Sequence, residues 1–171
     1  MPTPPTAQGT EPAPANAAES DRTGSATADG LEERELAAWK GFLRAHREVV
    51  GHLDEELQLS HDLPLSSYEV LLYLADSGDG RMRMGELAEH LLLSRSGLTR
   101  LVDRLERRGL VARERCEEDA RGLFAHITPA GRGLFQAARP HHLDGVRRHY
   151  LSRLNESDLA TLPAIWGRLT R

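Results

Sequence analysis

Five arginines crowd the fifteen residues SRSGLTRLVDRLERR, 94–108, while Leu98, Leu101, Val102 and Leu105 keep helical spacing. At 100° per residue those four apolar side chains fall within about 100° of arc. The opposite side carries Ser96, Arg100, Asp103 and Arg107, with Thr99 and Arg104 on its shoulders and Arg95 in the first turn. A planar guanidinium fork can pair with guanine O6 and N7, or grip phosphate oxygens. The free amides of a helix N-terminus favour phosphate as well. This pattern suits a helix pressed against a polyanion. Recognition helices read bases mainly from their N-terminal half, which assigns base contacts to Arg95, Ser96, Thr99 and Arg100. Arg104 and Arg107 are then placed for backbone phosphate. The plainer alternative is a solvated face on which Asp103 and Glu106 neutralise arginines three or four residues away.

Such a helix needs elements to aim it. Ser94 is a suitable N-cap and Gly109 a suitable stop. Before it, MGELAEHL spaces Met84, Leu87, Ala88 and Leu91 as a short amphipathic helix. Earlier still, PLSSYEVLLYLADSG reads as a helix with a Ser66/Glu69 capping box, a core run at 70–75 and a stop at Gly78. GDGR reads as a loop. After the arginine helix the 3.6-residue period disappears. Two short β-like runs near 110–115 and 123–127 flank the polar EEDARG, which reads as a hairpin and as the chain's only strand signal.

Longer helices flank this middle section. Leu36, Trp39, Leu43, His46, Val50, Leu53 and Leu57 recur every three or four residues, drawing one stripe along about six turns. Thr128 and Pro129 restart a helix that continues through Leu134, Phe135, Ala138, Leu143, Val146 and Tyr150, with a kink expected at Pro140. A last helix, interrupted by Pro163, runs from about Asn155 to Leu169 with Leu159, Leu162, Ile165, Trp166 and Leu169 facing in. The expected fold is mainly α with a small β-hairpin wing: a winged helix-turn-helix flanked by dimerisation helices. Residues 65–127 form the DNA-binding lobe of a 31–171 domain. The helices at 31–58 and 128–171 bury one another across a two-fold axis, because their stripes exceed what the lobe can cover.

Composition sets the outer limits. Residues 1–30 are mostly Pro, Thr, Ala, Gly and Ser without apolar periodicity, and read as a disordered tail with no secretory leader. That tail carries −3 of the formal net charge of −4, so the rest of the chain is nearly neutral and any positive patch is local. No apolar run approaches the ~20 residues of a membrane-spanning helix. A lone cysteine, Cys116, excludes an internal disulfide and fits a reducing, cytoplasmic compartment. No nucleophile–base pair, phosphate loop or paired-carboxylate site stands out, so neither an enzyme nor a cofactor is expected.

The stretch LSRSGLTRLVDRLERRGLVARERCEEDARGLFAHITPAG resembles the recognition helix and wing of the multiple-antibiotic-resistance regulator (MarR) family. The helix order extends the likeness over 31–171, and its specific part is 84–131. The family's wing has an Asp, a basic residue and an Arg, followed by a Leu-Thr-x-x-Gly helix start. Here these positions hold Asp119, Ala120 and Arg121, then Ile127, Thr128 and Gly131, so the basic middle residue is missing. The resemblance implies that Arg121 enters the minor groove while Asp119 braces the wing. An arginine on a projecting hairpin is also what a narrow minor groove attracts. A local Asp119–Arg121 staple of the turn is the alternative.

The resemblance further implies a homodimer on a pseudo-palindromic operator in double-stranded DNA, released by a small lipophilic or phenolic effector. Candidate effector contacts are Trp39, His46, His52 and Tyr68, of which His46 interrupts an apolar stripe. Each also fits a core or interface role. Arg113 and Arg115 can lower the thiol pKa of Cys116, and His141, His142 and His149 can supply metal ligands. No carboxylate cluster accompanies those histidines, so no metal site is expected, and a thiol- or metal-responsive regulator is the alternative. A winged-helix protein-interaction module without DNA binding is the rival from another class.

Overall fold

A computed structural model describes residues 30–115 and 123–170, which excludes the tail at 1–29 and the wing tip with Cys116, Asp119, Ala120 and Arg121. The chain forms α1 (Glu33–His61), α2 (Leu65–Asp76), β1 (Arg81–Arg83), α3 (Met84–His90), α4 (Arg95–Arg107), β2 (Val111–Arg115), β3 (Leu123–Ile127), α5 (Pro129–His149) and α6 (Glu156–Leu169). A short 3-10 turn, Leu151–Arg153, joins α5 to α6. Two units divide it, one ending at Phe42 and the other beginning at Leu43. The described part of the first is a helical start in which Trp39 stacks on Phe42 at 6.0 Å and both rings are exposed.

The second unit has one core. Leu71 and Leu74 of α2, Leu87 of α3, Leu98, Val102 and Leu105 of α4, and Ala125 of β3 are all buried within it. The three strands form an antiparallel sheet in the order β1-β3-β2. Val111 pairs with Ile127 and Arg115 with Leu123, while Arg81 pairs with His126 and Arg83 with Phe124. The winged helix-turn-helix is therefore present, with one more strand than the sequence suggests. Gly80, at φ +75°, turns the GDGR segment so that its carbonyl accepts from the Ile127 N–H at 2.9 Å, and Arg81 continues as an edge strand. Three residues are too few for an alternating pattern to be seen.

Several local expectations are corrected. The Ser66/Glu69 capping box does not form: α2 starts at Leu65 after Pro64, and no side chain caps it at the Pro64 position. Asp54 of α1 instead accepts the Leu65 N–H at 2.7 Å, a cap supplied from eleven residues away. Glu69 is half-buried, and burial holds its carboxyl above the usual range. Helix α2 ends before Ser77, whose hydroxyl donates to the Leu74 carbonyl, so Gly78 is not its stop. The helix expected after Thr128 is present as α5, Pro129–His149, with Pro140 inside it.

The apolar stripes are only half covered within one chain. Of the α1 stripe, Leu53 and Leu57 are buried, whereas Trp39, Leu43, His46 and Val50 are exposed. Helix α6 is well capped, with Asn155 accepting from Asp158 N and Asp158 accepting from Asn155 N, yet it buries no residue. Leu159, Trp166 and Leu169 face outward rather than in.

Candidate nucleic-acid interface

The aim of α4 is set at both ends by local bonds. Ser94 Oγ accepts from Gly97 N at 3.1 Å, which satisfies one of the free amides of the first turn. Gly109 takes φ +70° after the last turn, as a helix stop requires. Leu98, Leu101, Val102 and Leu105 are at most 3% exposed. Burying four such side chains holds the opposite face outward. Arg95, Ser96, Thr99, Arg100, Arg104 and Arg107 are accordingly all exposed on one helix. The Thr99 hydroxyl donates to the Arg95 carbonyl at 2.8 Å, leaving its lone pairs for an outside donor.

The acids on this helix do not neutralise its arginines. Asp103 and Glu106 are both held by Arg113 of β2, whose Nη2 lies 2.5 Å from Asp103 Oδ1 and whose Nη1 lies 3.0 Å from Glu106 Oε2. Arg113 Nη2 also donates to the Thr99 carbonyl at 3.1 Å, and Glu106 Oε1 accepts from the Arg113 backbone N–H at 3.3 Å. The fifth arginine, Arg108, donates to the Asp62 carbonyl at 2.7 Å and pairs with its carboxylate at 3.3 Å. Among the described residues, Arg95, Arg100, Arg104 and Arg107 make no ion pair. Four unneutralised guanidinium groups along about three turns create a positive local field, although residues 31–171 are nearly neutral in total.

Arg113 is the residue whose role sequence reasoning missed. Its signal was present: it stands on the strand that follows the helix, and Asp103 and Glu106 are three residues apart on one flank. Only the folding of β2 back along α4 brings the three together. Beside them an open groove of about 700 Å³ is lined by Arg83, Glu86, Glu89, Arg95, Leu98 and Thr99, among others. Strand β1 adds Arg81 and Arg83, whose guanidinium carbons each sit 5.1 Å from the Phe124 ring centroid. A cation over an aromatic face is held electrostatically, and Arg81 also donates to Asp79 Oδ2 at 2.6 Å.

The other predicted contacts are dispersed. His52 stacks on His149 of α5 at 4.5 Å, whereas buried Tyr68 packs on Phe135 at 5.5 Å and on His142 at 4.4 Å. His46 is exposed on α1, and Trp39 belongs to the first unit. The three histidines of α5 have separate partners: His141 bonds His61, His142 meets Tyr68, and His149 bonds Glu56. Among the described residues no group of three His, Cys, Asp or Glu side chains is placed to hold a metal ion, and no helix is long and apolar enough to cross a membrane.

A family model described as MarR family matches residues 61–122. In sequence the chain is similar to the HTH-type transcriptional regulator MhqR of Bacillus subtilis (strain 168), 30% identical over 112 residues that span 66% of this chain and 75% of that one. In structure it is similar to AbsC, a MarR family transcriptional regulator from Streptomyces coelicolor. That match has a TM-score of 0.77 at 37% identity and covers 81% of this chain and 93% of AbsC. Sco3205, a MarR family regulator from the same organism solved in complex with DNA, matches at a TM-score of 0.78 and 35% identity, over 81% of this chain and 87% of its own.

Proposed function

The chain belongs to the MarR family, and from that premise we propose that it acts in the cytoplasm as a homodimeric repressor that releases its operator when a small lipophilic or phenolic effector binds. It is a sequence-specific DNA-binding transcriptional regulator. One observation carries this reading: α4 presents four arginines without acid partners, because Arg113 occupies the two carboxylates that share their helix. Arg95, Ser96, Thr99 and Arg100 read base edges in the major groove, and Arg104 and Arg107 hold phosphates. Arg121, braced by Asp119 on the wing, takes the minor groove.

Dimerisation is supported by the apolar side chains a single chain leaves in water, including Leu159, Trp166 and Leu169 on α6. A pseudo-palindromic operator then presents half-sites about one turn, roughly 34 Å, apart to two α4 helices. An effector in contact with Trp39, His46, His52 or Tyr68 acts by preferring a different half-site spacing.

Fluorescence anisotropy on the DNA upstream of the protein's own gene tests the reading. Arg100→Ala is expected to weaken specific binding about tenfold, within the ~1–3 kcal/mol of a bidentate base contact, with the oligomer unchanged by sedimentation. Equal affinity for that DNA and a scrambled duplex in the wild type would rule out sequence-specific recognition. For Arg121→Ala the salt dependence of binding is expected to become shallower by about one counterion; an unchanged slope removes the wing from the phosphate contacts.

A further inference from the structure

Four of the eight histidines lie along the seam where the second half of α1 meets α5, His52 and His61 on one side and His141 and His149 on the other, while His142 of α5 meets Tyr68 of α2. The helices approach closely at Gly145, where a Cβ would stand 2.7 Å from Glu56 Oε2 and 2.8 Å from Leu53 Cδ2. The two ends of the seam differ in what a proton does to them.

At the His149 end a proton strengthens the contact. Glu56 accepts from His149 Nε2 at 2.8 Å and from Arg148 Nη2 at 2.7 Å, and these bonds hold its carboxyl below the usual range. His52 stacks on the His149 ring at 4.5 Å. A charged His149 adds ionic attraction to a bond that already exists.

At the opposite end full protonation does the reverse. His61 Nε2 and His141 Nδ1 are 2.8 Å apart, so one nitrogen donates and the other must stay unprotonated to accept. The pair holds one extra proton at most; the second removes the acceptor and sets two cations edge to face, with ring centroids 4.7 Å apart. The next residue, His142, lies against buried Tyr68 of α2 with its Nδ1 buried and without a partner. Other ionisable groups here are Arg139 of α5 and Asp76 of α2, both acting on Tyr68, and Asp62, which is engaged by Arg108. Among the described residues no carboxylate bonds His61, His141 or His142.

We propose that this seam is a proton-operated hinge: acidification opens the His61–His141–His142 end while Glu56 and His149 hold the other, so that α5 turns about Gly145 and Tyr68 loses the His142 ring, one of its two ring partners. Because α2 carries Tyr68 into the core that supports α4, the hinge couples protonation to operator affinity. Burial holds His61 and His142 below the ordinary histidine value, and the neighbouring His141 lowers His61 further. An unfolded chain therefore takes up these protons first. The stabilisation is complete above the ordinary value near 6.5 and is lost as pH falls from there towards the lower folded values.

The inference rests on the operator-binding reading, and the test separates the two. Operator affinity of the full chain is measured at pH 7.5 and 5.5, beside a His61→Gln/His141→Gln/His142→Phe variant that keeps a hydrogen bond and a ring but cannot titrate. The wild type is expected to lose at least about tenfold in affinity on acidification, and the variant less than about threefold. The direction is diagnostic, because general charging of histidines tightens binding to a polyanion. Unchanged or tighter wild-type binding at pH 5.5 overturns the hinge, as does a variant that loses as much as the wild type. If the variant fails to fold, histidine NMR titration of the wild type decides: resonances of His61 and His142 moving below pH 6.5 support the hinge, and movement at the ordinary value overturns it. If the wild type shows no specific binding even at pH 7.5, the operator reading has failed. The hinge then stands or falls on whether acid lowers the wild-type melting temperature more than the variant's.

Discussion

An Arg113→Ala variant is expected to bind its operator about tenfold or more weakly than the wild type, without Arg113 itself having to touch DNA. The Arg113 side chain is only 21% exposed, and its guanidinium joins Asp103, Glu106 and the Thr99 carbonyl in one cluster. Removing it returns two carboxylates to the face that bears Arg100, Arg104 and Arg107, where they repel phosphate and compete for those arginines. It also unhooks β2 from α4. Truncating one member of a desolvated charge pair costs roughly 2–5 kcal/mol in an interface. The carboxylates here are about 40% exposed, so solvent screening puts the effect below that range; tenfold corresponds to about 1.4 kcal/mol. Neutralising the acids as well, with Asp103→Asn and Glu106→Gln, is expected to recover most of the loss. Such non-additivity is what a shared cluster predicts. Wild-type affinity in the single variant would remove the charge-masking role from Arg113.

Gly131→Ala is expected to cost stability rather than recognition, by about 3 kcal/mol, at the upper end for overpacking. A Cβ there would stand 2.0 Å from the Leu110 carbonyl oxygen and 3.1 Å from Ile127 Cγ1. The oxygen is not free to move, since it accepts from Thr128 N at 3.1 Å. Thr128 in turn donates to the Gly109 carbonyl and accepts from Gly131 N. The first turn of α5 is thus clamped onto the exit from α4, backbone against backbone. For a chain of this size the loss lowers the melting temperature by roughly 10 °C. Gly133, two residues on, has open space around its α-carbon. Gly133→Ala is therefore the control, and helix propensity predicts a gain of up to about 1 kcal/mol. Thermal melts of the two variants settle the point: a Gly131→Ala midpoint within 2 °C of the wild type would mean that the close approach yields easily.

The arginine helix was legible because everything that shapes it is local. Its apolar period, the Ser94 cap three residues from Gly97, and the left-handed Gly109 all act within one or two turns. The two wing strands were legible for the same reason, as short runs on either side of a polar turn. Gly131 was visible only as part of a pattern; what forbids a side chain there is the Leu110 carbonyl, twenty-one residues earlier. The first helix shows the limit most clearly. Its stripe repeats evenly from Leu36 to Leu57, yet only Leu53 and Leu57 are buried, because periodicity reports which face is apolar and not what covers it.

By itself, then, the sequence determined the helix order, the arginine-bearing face of α4 and the strands of the wing, through dihedral preferences, caps and periods that operate over a few residues. Tertiary structure alone decided that Asp54 caps α2, that β1 joins the sheet, that Arg113 removes the acids from the arginine face, and that four histidines meet between α1 and α5. Each of those joins groups far apart in the chain. Such contacts depend on how whole elements pack, which no local preference encodes.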